Sequence, residues 1–313
     1  MEPSLDDDLR PPAAITEGLA AVLSNLIDYA GLLPPASLDM PTAVENYASY
    51  VAGEDAWLLE RLVIAVSRLE EFEAHAAAHL PRAGEEEPWP ISALIRAAGE
   101  EDLPDDLDRI AAFNQRHCNP QHGLALIDVI ELKADSARAI DDAIDVMPDD
   151  LYPFFELPAA GDPRGLIAAL VGGEAGAKIR LGGGTVGLPL TPADVARFIA
   201  TCAAADVPFK ATGGLHHPLT HDGEGAQTRE IGFLNLIIAA ALALNADLDE
   251  RDLIRVLEQD DISAFTFDDA GLKWRDHRAT VEEIEDTRLA FAASIACSSF
   301  DEPRRNLRAI GLL

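Results

Sequence analysis

Residues 177–214, AKIRLGGGTVGLPLTPADVARFIATCAAADVPFKATGG, hold in one stretch the unit from which the rest of the chain is read. Two short runs of strand character, 177–181 and 207–212, each end in consecutive glycines. Between them Thr191-Pro192 supplies an N-cap and a first-turn proline for a helix expected to run to about Ala205. Two strands joined through a helix must lie parallel in one sheet.

The same alternation extends outward on both sides. LSNLIDYAGLL (23–33), LVIAVSRL (62–69), residues 90–95, LALIDVIELK (124–133) and LYPFFEL (151–157) read as earlier strands. Residues 39–60, 70–80, 103–117 and 136–146, and the stretch opened by Asp162-Pro163, read as the helices between them. Beyond the seventh strand come apolar helices over 228–245 and 249–259. SAFTFD (263–268) is expected to close the sheet as an eighth strand, with FTFDDAGLKWRD (265–276) also fitting a β-hairpin. A helix over 280–298 and a basic tail from Arg304 finish the chain.

Strand–helix alternation of this regularity is an α/β fold, and eight repeats in this length predict a single (β/α)8 TIM barrel. A doubly wound open sheet is the alternative, but the first strand is followed by DYAGLLPP rather than GxGxxG. The barrel is assigned to 19–313 and a flexible acidic arm to 1–18.

Composition narrows the partners. Lys plus Arg number 24 against 55 Asp plus Glu, a net charge of −31. Such a field repels nucleic acid and anionic lipid. No apolar run is long enough to span a membrane. Cys118, Cys202 and Cys297 lie far apart, and no leader precedes residue 12, so a cytoplasmic setting is expected. A homo-oligomer is one use for the apolar helix over 228–245.

The chain contains only four lysines, Lys133, Lys178, Lys210 and Lys273, and three of them end strand-like segments. Strand parity, read from the polar residue nearest each strand end, turns Asp28, Arg68, Glu131, Lys133, Glu156, Lys178, Arg180, Lys210 and Thr212 toward the barrel axis. Five cations against three anions converge on the C-terminal mouth, which points to a small anionic metabolite. Gly182-Gly183-Gly184 and Gly213-Gly214 free the backbone to approach such a ligand. Lys178 among other cations suits a Schiff-base nucleophile, with Lys210 lowering its pKa. His216, His217 and His221 follow the seventh strand; substrate contact by His216 or His217 is favoured over metal ligation, and no metal or other cofactor is assigned. His75, His79, His117 and His122 are read as structural.

IDVIELKAD (127–135), LYPFFELPA (151–159), residues 177–202 and VPFKATGGLHHP (207–218) together resemble the deoxyribose-phosphate aldolases, class I aldolase barrels. On that resemblance Lys178 falls on the Schiff-base lysine, Lys210 on its activating lysine and Asp128 on the acid of the fourth strand. The chain departs from the family pattern at Ile179-Arg180-Leu181 and in lacking a Gly-Ser phosphate loop at the eighth strand. Asp128 also has the opposite strand parity to Glu131 and Lys133, so a bulge is needed for both to face inward. DYAGLLPPA, KIRLGGG and FKATGGLHHP in combination resemble a group of bacterial barrels of unassigned function.

The resemblance and the residues together imply an aldolase-like lyase acting on a small phosphate- or carboxylate-bearing carbonyl compound. Lys178 forms the imine, Asp128 or Glu156 moves protons, and Arg180, Arg68 and the glycine loops hold the anion. A metal-assisted hydrolase or isomerase, and a non-catalytic metabolite-binding barrel, are the alternatives.

Overall fold

Side-chain caps begin six of the helices. Thr16, Asp39, Ser136, Thr191, Asp249 and Thr280 each accept a hydrogen bond from the backbone N–H three residues on, satisfying a donor that a helix start leaves open. Thr191 and Thr280 form full capping boxes with Asp194 and Glu283. The computed structural model describes residues 15–83, 87–182, 190–223, 229–246 and 248–313.

Its helices are α1 (Glu17–Leu23), α2 (Met40–Val51), α3 (Leu69–Ala76), α4 (Leu103–His117), α5 (Ala137–Ile144), α6 (Arg164–Ala168), α7 (Pro192–Ala205), α8 (Phe233–Asn245), α9 (Glu250–Leu257), α10 (Val281–Ala290) and α11 (Asp301–Ala309). The barrel strands are β1 (Ile27–Tyr29), β2 (Leu59–Ala65), β3 (Trp89–Leu94), β4 (Ala125–Lys133), β5 (Tyr152–Glu156), β6 (Gly176–Arg180), β7 (Phe209–Thr212) and β8 (Ala292–Cys297). They close in the order β1-β8-β7-β6-β5-β4-β3-β2, every neighbouring pair parallel. The (β/α)8 barrel expected from the alternation is therefore the fold.

The closing strand is not the expected one. Phe265–Asp268 pairs antiparallel with Gly271–Trp274, which pairs with His277–Thr280, in a separate three-stranded sheet. The stretch 280–298, expected to be one helix, breaks into α10 and β8. AASIAC has weak strand propensity, but buried between β1 and β7 it pairs on both sides, and tertiary context outweighs propensity. β2 also runs 59–65 rather than 62–69, so Arg68 sits beyond the strand in a short 3-10 turn. The arm expected over 1–18 overlaps α1, which starts at Glu17; residues 1–14 lie outside the described residues. α8 is buried from Phe233 through Leu242, in the layer around the barrel. No helix among the described residues is long and apolar enough to cross a membrane.

Alternation along the strands divides the barrel interior by side. Near the mouth, β1, β2 and β8 contribute Ala30, Val63 and Ala296, a small apolar group joined by Leu33 and Leu94. The inward positions of β4 to β7 carry Glu131, Lys133, Glu156, Lys178, Arg180 and Lys210, with Phe154 and Thr212 among them. Most of the charged groups at the mouth are thus on that half of the barrel. At the opposite end, a cavity of about 1320 Å3 opens among the first residues of the strands, bounded by α1 and α10 and lined in part by Glu60, Arg61, Asp128 and Arg288.

Candidate active site

Lys178 and Lys210 pair in register on β6 and β7, and Lys178 pairs with Glu156 on β5, which pairs with Lys133 on β4. One register row therefore carries Lys133, Glu156, Lys178 and Lys210. Strands in a barrel tilt against its axis, so such a row climbs from the interior to the mouth. Lys210 at its inner end is 1% exposed, whereas Lys133 at its outer end is exposed and lines a cavity.

Two residues below Lys133 on β4, Glu131 stands between the two inner amines. Its carboxylate lies 2.6 Å from Lys210 Nζ and 2.7 Å from Lys178 Nζ. Lys210 also reaches Asp28 at 2.5 Å, and Lys178 reaches Glu156 at 2.8 Å. Arg180 then grips Glu156 through Nε and a terminal nitrogen, at 2.9 and 3.0 Å. The result is an alternating ladder, Asp28–Lys210–Glu131–Lys178–Glu156–Arg180, from the barrel axis to the mouth. Buried charges persist only when paired and hydrogen-bonded, and here each has an opposite neighbour.

Neutral groups complete the set. Ser92 Oγ donates to Glu131 at 2.7 Å, Ser294 Oγ donates to Asp28 at 2.7 Å, and the Arg61 backbone N–H donates to Asp28 at 3.2 Å. Burial would raise the Glu131 carboxyl, but Lys178 and Lys210 outweigh it and hold the group well below the usual carboxylate range. Burial would likewise lower the Lys210 amine, yet Asp28 and Glu131 keep it above its ordinary value. Glu156 follows the same logic: Arg180 and Lys178 overcome desolvation and bring it down to about 2. Lys210, expected to lower the pKa of Lys178, does not face it alone: Glu131 bridges the two amines, one carboxylate oxygen to each.

Above the ladder lies a cavity of about 1030 Å3, lined by Lys133, Glu156, Arg180, Gly182, Gly213 and Gly214 among others. Gly213 has φ +84°, and a Cβ there would meet the Gly182 carbonyl oxygen at 2.1 Å. The two glycine turns pack backbone against backbone, which only glycine allows. Gly183 and Gly184 lie outside the described residues. Thr212 ends β7 in register with Arg180 and faces inward, nearly buried.

Four expected positions, Arg68, Asp128, His216 and His217, fall elsewhere. Arg68 pairs with Glu71 at 2.7 Å and does not line the cavity. That leaves four cations against three anions in the inward set, a surplus of one rather than two, carried by Lys133. The wider cavity wall adds Asp135, Asp194, Glu230 and Arg229, so it is not cationic as a whole. Asp128 does sit at a β4 bulge, where Ile91 faces Ile127 but Ser92 faces Val129. The bulge lets it face inward with Val129, but it lines the opposite cavity, where Arg61 holds it at 2.8 Å. Glu131 is the acid that β4 brings to the lysines.

His216 and His217 pack away from the cavity. His216 Nδ1 contacts Glu302 and lies 3.5 Å from Cys297 Sγ. The His217 ring lies 4.0 Å from that of His221, and Asn306 approaches its Nδ1 at 3.3 Å. Among the described residues, no three His, Cys, Asp or Glu side chains are grouped to hold a metal ion.

Sequence reasoning missed Ser92, Ser294, Arg229 and Glu230. Ser92 is legible as an inward polar position in WPISAL, but Ser294 is hidden by the helical reading of 280–298. Arg229 and Glu230 belong to a two-residue ladder with His221 and Asp222 that carries no sequence signal of its own.

No family model, curated protein or solved structure matches the chain. The aldolase resemblance therefore has no support beyond its local motifs, and the chemistry of the barrel mouth has to be judged from its own residues.

Proposed function

We propose that this barrel is an aldolase-like lyase that joins Lys178 to a small anionic carbonyl compound as a Schiff base. The observation that carries the reading is the placement of Lys178: it is the ladder's last amine before the cavity, touching two carboxylates that can take its proton. A lysine needs a lone pair to attack a carbonyl, and a base within hydrogen-bond reach supplies one.

In this reading Glu156 takes a proton from the Lys178 ammonium, and the freed amine adds to the substrate carbonyl. Water leaves with the proton returned by Glu156. The cationic imine then takes up the electrons of the Cα–Cβ bond as it breaks, leaving an enamine on Lys178. The β-hydroxyl gives its proton to Glu156, and that fragment departs as an aldehyde. Protonation of the enamine carbon and hydrolysis of the imine free the lysine. Lys210 and Ser92 keep Glu131 ionised and oriented beneath Lys178. Lys133, Arg180 and the backbone of the glycine turns hold the anionic end.

Borohydride trapping with a panel of aldehydes, keto acids and sugar phosphates tests it, read by intact mass and peptide mapping. The expected result is a stable adduct on Lys178 that is lost in Lys178→Arg. A folded protein that gains no adduct across the panel, yet binds a member of it saturably, would be a metabolite-binding barrel instead.

A further inference from the structure

Along the ladder the side chains of Asp28, Lys210, Glu131 and Lys178 are at most 5% exposed. Asp28, Lys210 and Glu131, at 1% or less, can exchange with nothing from solvent without opening the core; Lys178 is the ladder's amine next to Glu156, which lines the cavity. Glu156 and Arg180 differ, at 12% and 38% exposure, and both line the cavity. An anionic group arriving there meets Lys133, which makes no ion pair with the described residues, and Arg180, whose Nε–Nη2 edge is occupied by Glu156. A guanidinium edge presents its parallel N–H pair to one planar or tetrahedral anion at a time. The newcomer can take that edge only by replacing Glu156, which then keeps Lys178 at 2.8 Å as its one cation.

We infer that an anionic group bound at Arg180 activates Lys178, by displacing Glu156 from the guanidinium and freeing that carboxylate to accept the lysine's proton. The inference rests on the imine reading of Lys178. In the resting ladder burial acts to raise the Glu156 carboxyl, but Arg180 and Lys178 hold it down at about 2, and so weak a base takes a proton poorly. Once the guanidinium has turned to the incoming anion, desolvation is opposed by a single cation and the carboxylate becomes more basic.

A proton then passes from the Lys178 ammonium to Glu156. The nitrogen lone pair forms the new C–N bond, the carbonyl oxygen is protonated, and water departs. Overall one ammonium and one carbonyl become one protonated imine and one water, with no proton gained or lost. The substrate's anionic end is thus the trigger as well as the handle, which restricts the site to carbonyl compounds that carry phosphate or carboxylate.

The test separates trigger from handle. The full-length protein is incubated with propanal, a neutral aldehyde, and cyanoborohydride. Either inorganic phosphate or sodium chloride is added at matched ionic strength, so that general screening is equal. With four lysines in the chain, peptide mapping assigns the adduct directly.

The expected result is a Lys178 adduct that accumulates about tenfold faster or more in phosphate, saturably. Arg180→Leu, with no guanidinium to hold Glu156, should trap propanal without phosphate and show no stimulation. Equal rates of Lys178 labelling in phosphate and chloride overturn the inference while the imine reading stands. So does labelling by anionic carbonyls alone that leaves propanal inert in phosphate. No Lys178 adduct with any carbonyl, neutral or anionic, removes the imine reading itself. Should Arg180→Leu fail to fold, the wild-type comparison alone decides.

Discussion

Glu156 is where the ladder meets solvent, and its carboxyl sits at about 2 in the folded chain because Arg180 and Lys178 outweigh the cost of burial. An unfolded chain gives the same group a value of ~4.3. The folded state therefore binds fewer protons between those values, and Glu156 contributes stability that is complete above the unfolded value and lost as pH falls toward 2. That contribution is on the order of 3 kcal/mol. Glu131, held lower still, acts in the same direction. Chemical denaturation between pH 6 and 3 should show wild type losing its stability advantage over Glu156→Gln as the pH falls. An identical pH slope in the two would show that the carboxylate is not held by its cations in solution. At this scale the sequence was informative for Asp28, Glu131, Lys178, Lys210 and Arg180, because alternation alone turns them inward. The family resemblance was misleading for Asp128: the β4 bulge lets it face inward, but at the other end of the barrel from Lys178.

At the scale of elements, the turns after β6 and β7 do more than end strands. Gly213 adopts φ +84°, and its missing side chain lets it lie against the Gly182 backbone. Gly213→Ala would meet both a disfavoured backbone conformation and a carbonyl oxygen that cannot retreat. A loss of about 1–3 kcal/mol is expected by denaturant titration, with weaker anion binding at the mouth. A variant as stable as wild type would mean that the two turns can separate freely. The eighth strand shows why element type was harder to read than parity. AASIAC has few β-branched residues and follows the strong capping box of α10, so local signals favour continued helix. Its inward Ser294 holds Asp28, and Ala296 completes the apolar side of the mouth.

For the whole molecule, a net charge of −31 makes self-repulsion a cost of the folded state. The ladder is largely buried and little screened by salt, whereas surface carboxylates are screened within about a Debye length. The melting temperature should therefore rise as sodium chloride is increased from low to near-molar concentration, measured at neutral pH. A fall over that range would show surface ion pairs outweighing repulsion. Alternation of apolar runs with capped helices determined the parallel closed barrel, since only that arrangement gives every strand two neighbours and every helix a buried face. Strand parity likewise turned Asp28, Glu131, Lys133, Glu156, Lys178, Arg180 and Lys210 inward, because side-chain direction repeats every two residues, but it misplaced Arg68, which lies beyond the end of β2. Which of those charges meet was decided by tertiary structure. The tilt of the register row set the depth of each group, the place of Asp128 three residues below Glu131 kept it at the other end of the barrel, and closure by residues far along the chain supplied Ser294. Contacts of that kind depend on strand tilt, shear and closure, which residue order along one strand does not encode.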